Sequence, residues 1–281
     1  MSGRPRVGYL GPEGTFSEEA LLASAEADAV EPVPLATIYD TVMALRRREV
    51  DWAVVPIENS LEGSISVTLD LLAGEASDVE IVGEALLRVR HSLIAAEALA
   101  LEEIDTVLTH PQVPGQCARF LRNELAHAQI VPASSTAEAV RLVAGDRGAA
   151  SAGGGRAALG TLLAAEIYGG TVLREGVQDR DDNETRFVWL ARGQETDRSA
   201  LGSPPLRLSS AEEWKTSIVF WGPGAAHPGW LVRCLDEFAR RDINLTKIES
   251  RPRPGRLGSY MFFADLSGRS AETAVADVRA A

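Results

Sequence analysis

Short apolar runs alternate with amphipathic stretches along most of this chain, and that alternation restricts its fold more than any other feature. The segment "RVGYLG" (6–11) reads as a strand ending in glycine, and "FSEEALLASAEA" (16–27) as a helix with Ser17, Glu18 and Glu19 in its first turn. A weaker strand near "AVEPVPL" precedes a helix from about Thr37 to Arg48 that places Ile38, Val42 and Leu45 on one face. "DWAVVPIEN" (51–59) is of buried-strand type, and its Pro56 is expected to end the pairing. A β-α-β-α-β order of this kind predicts a mostly parallel sheet covered by helices on both faces.

The alternation continues through longer extended segments, "EIVGEALLRVRHSLIAA" (80–96) and "IDTVLTH" (104–110). A helix over 114–125, a strand over 128–135, a helix over 135–144, a helix near 155–167 and a strand from Thr171 to Arg174 follow. Two α/β lobes joined by two crossings fit this order, with a ligand cleft where strand ends from both lobes meet. The boundaries expected are 5–193 for the two-lobed unit, with lobe 1 at about 5–84 and 171–193 and lobe 2 at about 85–170. Residues 194–213 are rich in Gly, Ser, Pro and charge and read as a linker. A further unit over 214–281 reads as β-α-β-β with "SAETAVADVRAA" as a final helix.

A chain of 281 residues, 45% hydrophobic and 24% charged, can bury several small cores and is not disordered as a whole. The formal net charge of −12 disfavours a nucleic-acid partner, because no basic stripe is visible beyond Arg46, Arg47 and Arg48 at a helix end. Cys117 and Cys234 are too isolated for a zinc site or a disulfide framework. With no secretory-type apolar stretch at the start and no membrane span, a cytoplasmic protein is expected.

Several polar stretches could carry chemistry. "GYLGPEGTFSEEA" sets Gly8, Gly11 and Gly14 between a strand and a helix, but G-x-x-G-x-x-G is not the dinucleotide-binding spacing. Thr15 and Ser17 there offer hydroxyls beside helix-start amides, which suit an anion as well as a structural cap. "PIENSLEGS" packs Glu58, Asn59, Ser60 and Glu62 behind a buried strand, more polar groups than capping requires. "ASSTAEAV" offers Ser134, Ser135 or Thr136 as a cap with Glu138 in the first turn. His91 and His110 read first as satisfied structural histidines. In "DRDDNETRFVWL" (179–190) four acids precede a lone Thr185 and Arg186 at the mouth of an apolar strand. No H-E-x-x-H, G-x-S-x-G or P-loop is present, so metal hydrolysis, elbow-type hydrolysis and phosphoryl transfer lack support.

Taken in order, "GPEGTFSEEA", "VPIENSLEGS", "THPQVPGQC", "SSTAEAV" and "DNETRFVWL" closely resemble the prephenate dehydratase family, and "NLTKIESRP" resembles the phenylalanine-binding signature of an ACT regulatory domain. The resemblance spans nearly the whole chain. It implies an α/β fold: a two-lobed, periplasmic-binding-protein-like catalytic domain with a cleft over 5–193, and a ferredoxin-like ACT domain over 214–281. It also implies a lyase that removes water and CO2 from prephenate to give phenylpyruvate in phenylalanine biosynthesis, with no redox cofactor or metal. Aromatisation drives the loss of CO2, so the enzyme needs a proton donor for the departing hydroxyl and firm orientation of the dianion.

By this resemblance Thr185 protonates the leaving hydroxyl, Arg186 grips a substrate carboxylate or orients the pocket, and Phe187 packs behind them. Thr15, Phe16, Ser17, Asn59, Ser60, Glu62, Gly63, Ser134, Ser135 and Asn183 line the cleft. Asn183 is expected to turn inward, and Asp179, Asp181 and Asp182 to face solvent. In the regulatory part Asn244, Leu245, Glu249, Ser250, Arg251 and Pro252 match the family's effector block. Its upstream partner, Pro-Gly-Ala-Leu in the family, here reads Pro228, Gly229, Trp230 and Leu231, so Trp230 is expected to fill or reshape the effector pocket. The chain is expected to lack the domain's last strand, since Ala281 follows its last helix. L-phenylalanine is the implied effector and a homo-oligomer, dimer or tetramer, the implied assembly. Arogenate dehydratase, a prephenate decarboxylase and a non-catalytic small-anion binding or sensor protein are the competing readings; retention of Thr185 argues against the decarboxylase, and the missing signal peptide with the presence of Thr185 and Arg186 argues against the binding protein.

Overall fold

The computed structural model describes residues 3–26, 29–146, 154–193, 204–207, 214–253 and 258–269. The chain divides into two compact units, Met1–Arg207 and Leu208–Ala281. The predicted helix over 270–281 and most of the predicted linker lie outside the described residues.

The first unit holds two sheets. One is built from β1 (Arg6–Leu10), β2 (Glu31–Leu35), β3 (Trp52–Asn59), β4 (Gly63–Ser64), β5 (Val79–Arg88) and β11 (Glu184–Arg192) in the order β2-β1-β3-β11-β5, with β4 on β3. β1 runs parallel to β2 and β3, while β11 is antiparallel to both β3 and β5. The other contains β6 (Ser92–Ala95), β7 (Ile104–Thr109), β8 (Gln129–Pro132), β9 (Gly155–Gly160) and β10 (Thr171–Arg174) in the order β10-β6-β9-β7-β8. Here β7 is parallel to β8 and β9, and β6 is antiparallel to β9 and β10.

The helices are α1 (Phe16–Ser24), α2 (Ile38–Arg46), α3 (Ser66–Ala73), α4 (Val113–Gln116), α5 (Ala118–Glu124), α6 (Thr136–Ala144) and α7 (Leu162–Tyr168). Hydroxyls begin four of them: Thr15, Thr37, Ser135 and Thr161 each accept the backbone N–H three residues on. Each such cap satisfies a donor that the helix leaves open and contributes about 1 kcal/mol. One face of the first sheet buries Tyr9, Trp52, Val54, Phe187 and Trp189 against Leu21 of α1. Trp189 is wholly buried and its indole N–H donates to Ser24 Oγ at 2.9 Å, so the largest core side chain leaves no polar atom unpaired.

Four expectations change. β10 pairs with β6 in the second sheet, and β5 continues to Arg88 in the first, so lobe 2 runs through 174 and not to 170. The stretch near 155–160, read as a helix, is the wholly paired strand β9, because its alanines and glycines fit where β6 and β7 flank it closely. Pro56 does not end β3. Pairing with β1 stops at Val54 and the register with β11 shifts between Arg186 and Phe187, so Pro56 sits where a missing N–H costs no ladder bond. Finally, Leu206 of the predicted linker is buried in the core of the first unit and bridges Ala25, so that unit ends at Arg207.

The two lobes touch at the carboxyl ends of their parallel strands. Thr161 Oγ1 donates to Gly14 O at 2.6 Å and the Tyr168 hydroxyl to Glu13 O at 2.9 Å. Gly14 has φ +82°, and a Cβ on it would lie 2.8 Å from Ala164 Cα. Gly14→Ala is therefore expected to destabilise the unit by about 1–3 kcal/mol, read as a fall in Tm.

Glu19, beside this contact, is pushed up to about 7 by burial, opposed by the Leu163 amide and reinforced by the Glu18 carboxylate. A raised carboxyl stabilises the fold most below the ordinary value of 4.5, and that contribution is lost as pH rises through about 7. Glu19→Gln is expected to raise Tm at pH 8 and to lose that advantage toward pH 5.

The second unit forms β12 (Lys215–Phe220), α8 (Trp230–Ala239), β13 (Leu245–Pro252) and β14 (Tyr260–Ser267). Its antiparallel sheet has the order β12-β14-β13, with Phe238 of α8 packed on Ala264 and Leu266. That is the leading β-α-β-β part of a ferredoxin-like fold.

Candidate active site

Thr185 is the second residue of β11 and pairs with Asn59 at the carboxyl end of β3. Both are buried, as is Asn183 just before the strand. Asn59 Nδ2 donates to Thr185 Oγ1 at 2.9 Å and to Asn183 Oδ1 at 2.8 Å. Asn59 Oδ1 accepts the backbone N–H groups of Leu61 at 2.9 Å and Glu62 at 3.0 Å. Backbone N–H groups can only donate, so the orientation of the Asn59 amide is settled and its NH2 must face Thr185. Thr185 Oγ1 is then an acceptor toward Asn59, and its own proton is left to point elsewhere.

The contact continues into the second lobe. Asn183 Nδ2 donates to Gln116 Oε1 at 3.2 Å, and Gln116 Nε2 to Glu62 Oε1 at 3.0 Å. Gln112 Nε2 reaches the other oxygen of Glu62 at 2.6 Å. Glu62 thus clasps two amides of the β7–α5 segment from the opposite lobe. Gly63, at φ +83°, supplies the left-handed turn that brings Glu62 there. Ser60 ties the loop back: its N–H donates to Glu184 O at 2.8 Å and its Oγ accepts from Glu184 N at 3.0 Å.

His91, in the crossing between the lobes, is 1% exposed. Its Nε2 lies 2.9 Å from Gln116 Oε1 and its ring meets Phe16 edge-on, centroids 5.4 Å apart. Burial holds the imidazole below its ordinary range. Cys117 is not a nucleophile here, because burial and then the Asp179 carboxylate push its thiol up to about 12.

Of the residues singled out from sequence, Asn59, Glu62, Asn183 and Thr185 are brought into one chain of hydrogen bonds, with Phe16 against its far end. Thr15 is occupied as a cap, donating to Leu10 O at 2.9 Å. Ser17 is buried in the first turn of α1, and Ser135 with exposed Ser134 marks the start of α6. Both helix starts lie at the cleft edges of their sheets.

Arg186 stands apart from this chain of hydrogen bonds. Successive strand residues face opposite sides, so Arg186 leaves the side of Thr185 and meets Glu84 at 2.7 Å and Glu58 at 3.5 Å. Its guanidinium is held by two carboxylates on the far face of the sheet. Phe187 returns to the near face but is buried in the apolar core, where it supports Thr185 from behind. Asp179 is half-buried, not solvent-facing, and its carboxylate accepts the Arg119 N–H at the start of α5 at 3.0 Å. Asp181 and Asp182 are exposed and Asn183 turns inward, as expected.

Gln112, Gln116 and His91 were missed as site residues. The two amides stand in "THPQVPGQC", where a strand-to-helix turn needs no such pair, and that surplus was the available signal.

In the second unit the presumed effector block divides. Trp230 packs on Phe220 and Phe262, with ring centroids 6.2 and 5.9 Å away, and lies beneath Gly222 and Gly224. Gly229 holds the left-handed turn before it, at φ +76°, and Leu231 follows on α8. Ser250, paired with Phe262, shares that face of the sheet. Glu249 and Arg251 face the other side, 3.8 Å from each other, with Lys247 4.0 Å from Glu249. Leu245 opens β13 and Asn244 precedes it, with Asn244 O accepting the Ser267 N–H at 2.9 Å. Strand alternation therefore prevents the nine residues from forming one surface within a single chain.

Among the described residues no group of three or more His, Cys, Asp or Glu side chains could hold a metal ion. No helix among them is long and apolar enough to cross a membrane.

The chain is similar to known proteins. Residues 7–195 match the family described as prephenate dehydratase. A prephenate dehydratase of Mycobacterium sp. (strain KMS) is 40% identical over 283 residues, which cover 97% of this chain and 83% of that protein. A bifunctional chorismate mutase/prephenate dehydratase of Neisseria gonorrhoeae (strain ATCC 700825 / FA 1090) is 36% identical over 93% of this chain and 66% of its own length. The crystal structure of prephenate dehydratase in complex with L-Phe from Arthrobacter aurescens matches with a TM-score of 0.82 and 34% identity, covering 98% of this chain and 84% of that one. With the family matched across both lobes and relatives aligned along nearly the whole length, the chain belongs to the prephenate dehydratase family.

Proposed function

We propose that this enzyme converts prephenate to phenylpyruvate, water and CO2, with Thr185 as the group that meets the departing hydroxyl. The single observation behind the role of Thr185 is the settled direction of the Asn59–Thr185 hydrogen bond. Because Oγ1 accepts from Asn59, the hydroxyl proton of Thr185 is directed away from Asn59 and is available to the ring C–O bond. As that bond breaks, the electron pair of the C–CO2 bond completes the aromatic ring, CO2 departs, and the ring hydroxyl takes up one proton to leave as water. A neutral hydroxyl is a weak acid, so the cleft must exclude bulk water and return a proton to Thr185 after each turnover.

The dianion is oriented by amide donors: the starts of α1 and α6, and the Gln112 side chain on the cleft side. Arg186 acts by holding β11 against Glu58 and Glu84, and Phe187 by backing Thr185; neither touches the substrate.

The second unit is an ACT domain and the seat of an L-phenylalanine effect, a reading supported by its β-α-β-β order and its "NLTKIESRP" segment. Since Glu249 and Arg251 face away from Trp230, a complete effector site takes residues from two copies, which requires a homo-oligomer. The enzyme works in the cytoplasm.

The test is phenylpyruvate formation from prephenate, followed by ultraviolet absorbance in alkali, with and without millimolar L-phenylalanine, and with arogenate as the competing substrate. Turnover of prephenate that responds to L-phenylalanine supports the whole reading. Turnover indifferent to it removes the regulatory half, and a clear preference for arogenate replaces the substrate.

A further inference from the structure

We infer that His91 is a positioning residue of this active site: as a neutral imidazole carrying its proton on Nε2, it anchors the amide chain that ends on Thr185. The inference rests on the reading just given and deepens it.

The argument follows from what each end of the chain can do. Glu62 Oε1 can only accept, so the Gln116 atom 3.0 Å from it is the NH2 group. Gln116 Oε1 therefore faces His91 and Asn183, and needs a donor from each. Asn183 meets this with Nδ2, which leaves its Oδ1 to accept from Asn59. At the other end the N–H groups of Leu61 and Glu62 impose the same direction on Asn59. Every amide is thus oriented consistently from both lobes, and the one remaining free choice, which ring nitrogen of His91 holds the proton, is forced to Nε2.

The surroundings of the ring favour that state. Nδ1 is buried without a hydrogen-bond partner among the described residues, and the Phe16 ring packs edge-on against the imidazole. The backbone of His91 is itself pinned, its N–H donating to Gln178 Oε1 at 3.0 Å and its carbonyl accepting from Val177 N at 2.9 Å. With the residue 1% exposed and its backbone pinned, the ring is packed against Gln116. If the Nε2 donor is lost, Gln116 Oε1 keeps only the 3.2 Å contact from Asn183, and the amide chain loses its anchor at that end. Asn59 is then less firmly held and the proton of Thr185 loses its aim, without any change in the groups that bind substrate.

The experiment compares His91→Leu with His91→Gln, whose side-chain NH2 can replace the Nε2 donor, and records the 15N signals of the imidazole in the wild-type protein. His91→Leu is expected to lower kcat about 10²-fold with KM changed less than about threefold, and His91→Gln to recover most of that loss. The wild-type ring is expected to show the neutral Nε2–H tautomer at pH 7. Wild-type kcat in folded His91→Leu, or a His91→Gln variant no better than the leucine one, overturns the inference. So does an Nδ1–H tautomer or an imidazolium at pH 7, and this readout decides the matter if either variant fails to fold. Absence of prephenate turnover by the wild-type enzyme is a different failure: it removes the proposed reaction, while the tautomer still tests the polarity of the chain.

Discussion

Thr185→Ala is expected to lower kcat by about 10²–10⁴-fold, the range that a positioned proton donor contributes, while KM changes little. The split follows from where Thr185 stands. Its Oγ1 already accepts from Asn59 at 2.9 Å, so its proton is turned away from Asn59 and is free to be donated. An interaction that develops mainly as the ring hydroxyl departs appears in kcat and not in substrate affinity. Thr185→Ser keeps the hydroxyl and is expected to retain most turnover. The Ala variant should fold normally, because the change removes one methyl and one oxygen at the edge of the core. Wild-type kcat in Thr185→Ala, measured as phenylpyruvate in alkali, would assign the proton to another group.

Asn59→Asp should be nearly as damaging by a different route. The substitution is almost isosteric but exchanges the donor Nδ2 for an oxygen that can only accept. That oxygen would face Asn183 Oδ1, where Asn59 now donates at 2.8 Å, and Glu184 O at 3.3 Å. It would also capture the Thr185 proton and point it away from the substrate. A kcat loss of about 10²–10⁴-fold is expected, accompanied by about 1–3 kcal/mol of lost stability from unsatisfied buried groups. The double variant Asn59→Asp, Thr185→Ala should be no slower than Thr185→Ala alone, since both changes act on the same proton. Additive losses would mean that Asn59 contributes to turnover independently of Thr185.

The alternation of strands and helices was legible because it depends on near neighbours. β1, α2, β7, α6 and β10 lie within a residue or two of where their patterns place them. Hydroxyl caps at Thr15 and Ser135 were visible for the same reason. The family resemblance drew Thr185, Asn59, Asn183 and Glu62 from separate segments, and all four are joined by hydrogen bonds or adjacent backbone contacts at one cleft. Local pattern failed where identity depends on distant partners. The Ala/Gly run near 155–160 is a strand only because β6 and β7 lie on either side of it. Pro56 stays in β3 only because the register slips opposite it.

By itself, then, the sequence determined the α/β class, the order of most elements, and a set of polar residues too dense for capping alone. Tertiary structure decided which of those residues meet. Strand alternation sends Arg186 to Glu58 and Glu84 on the far face, while Thr185 stays in the cleft. The meeting of two lobes recruits His91, Gln112 and Gln116 from segments with no strong signal of their own. The physical reason is that side-chain period follows from covalent geometry and is written locally. Hydrogen-bond direction between Asn59, Asn183, Gln116 and His91 exists only once residues 25 to 124 positions apart are within 3.2 Å of one another.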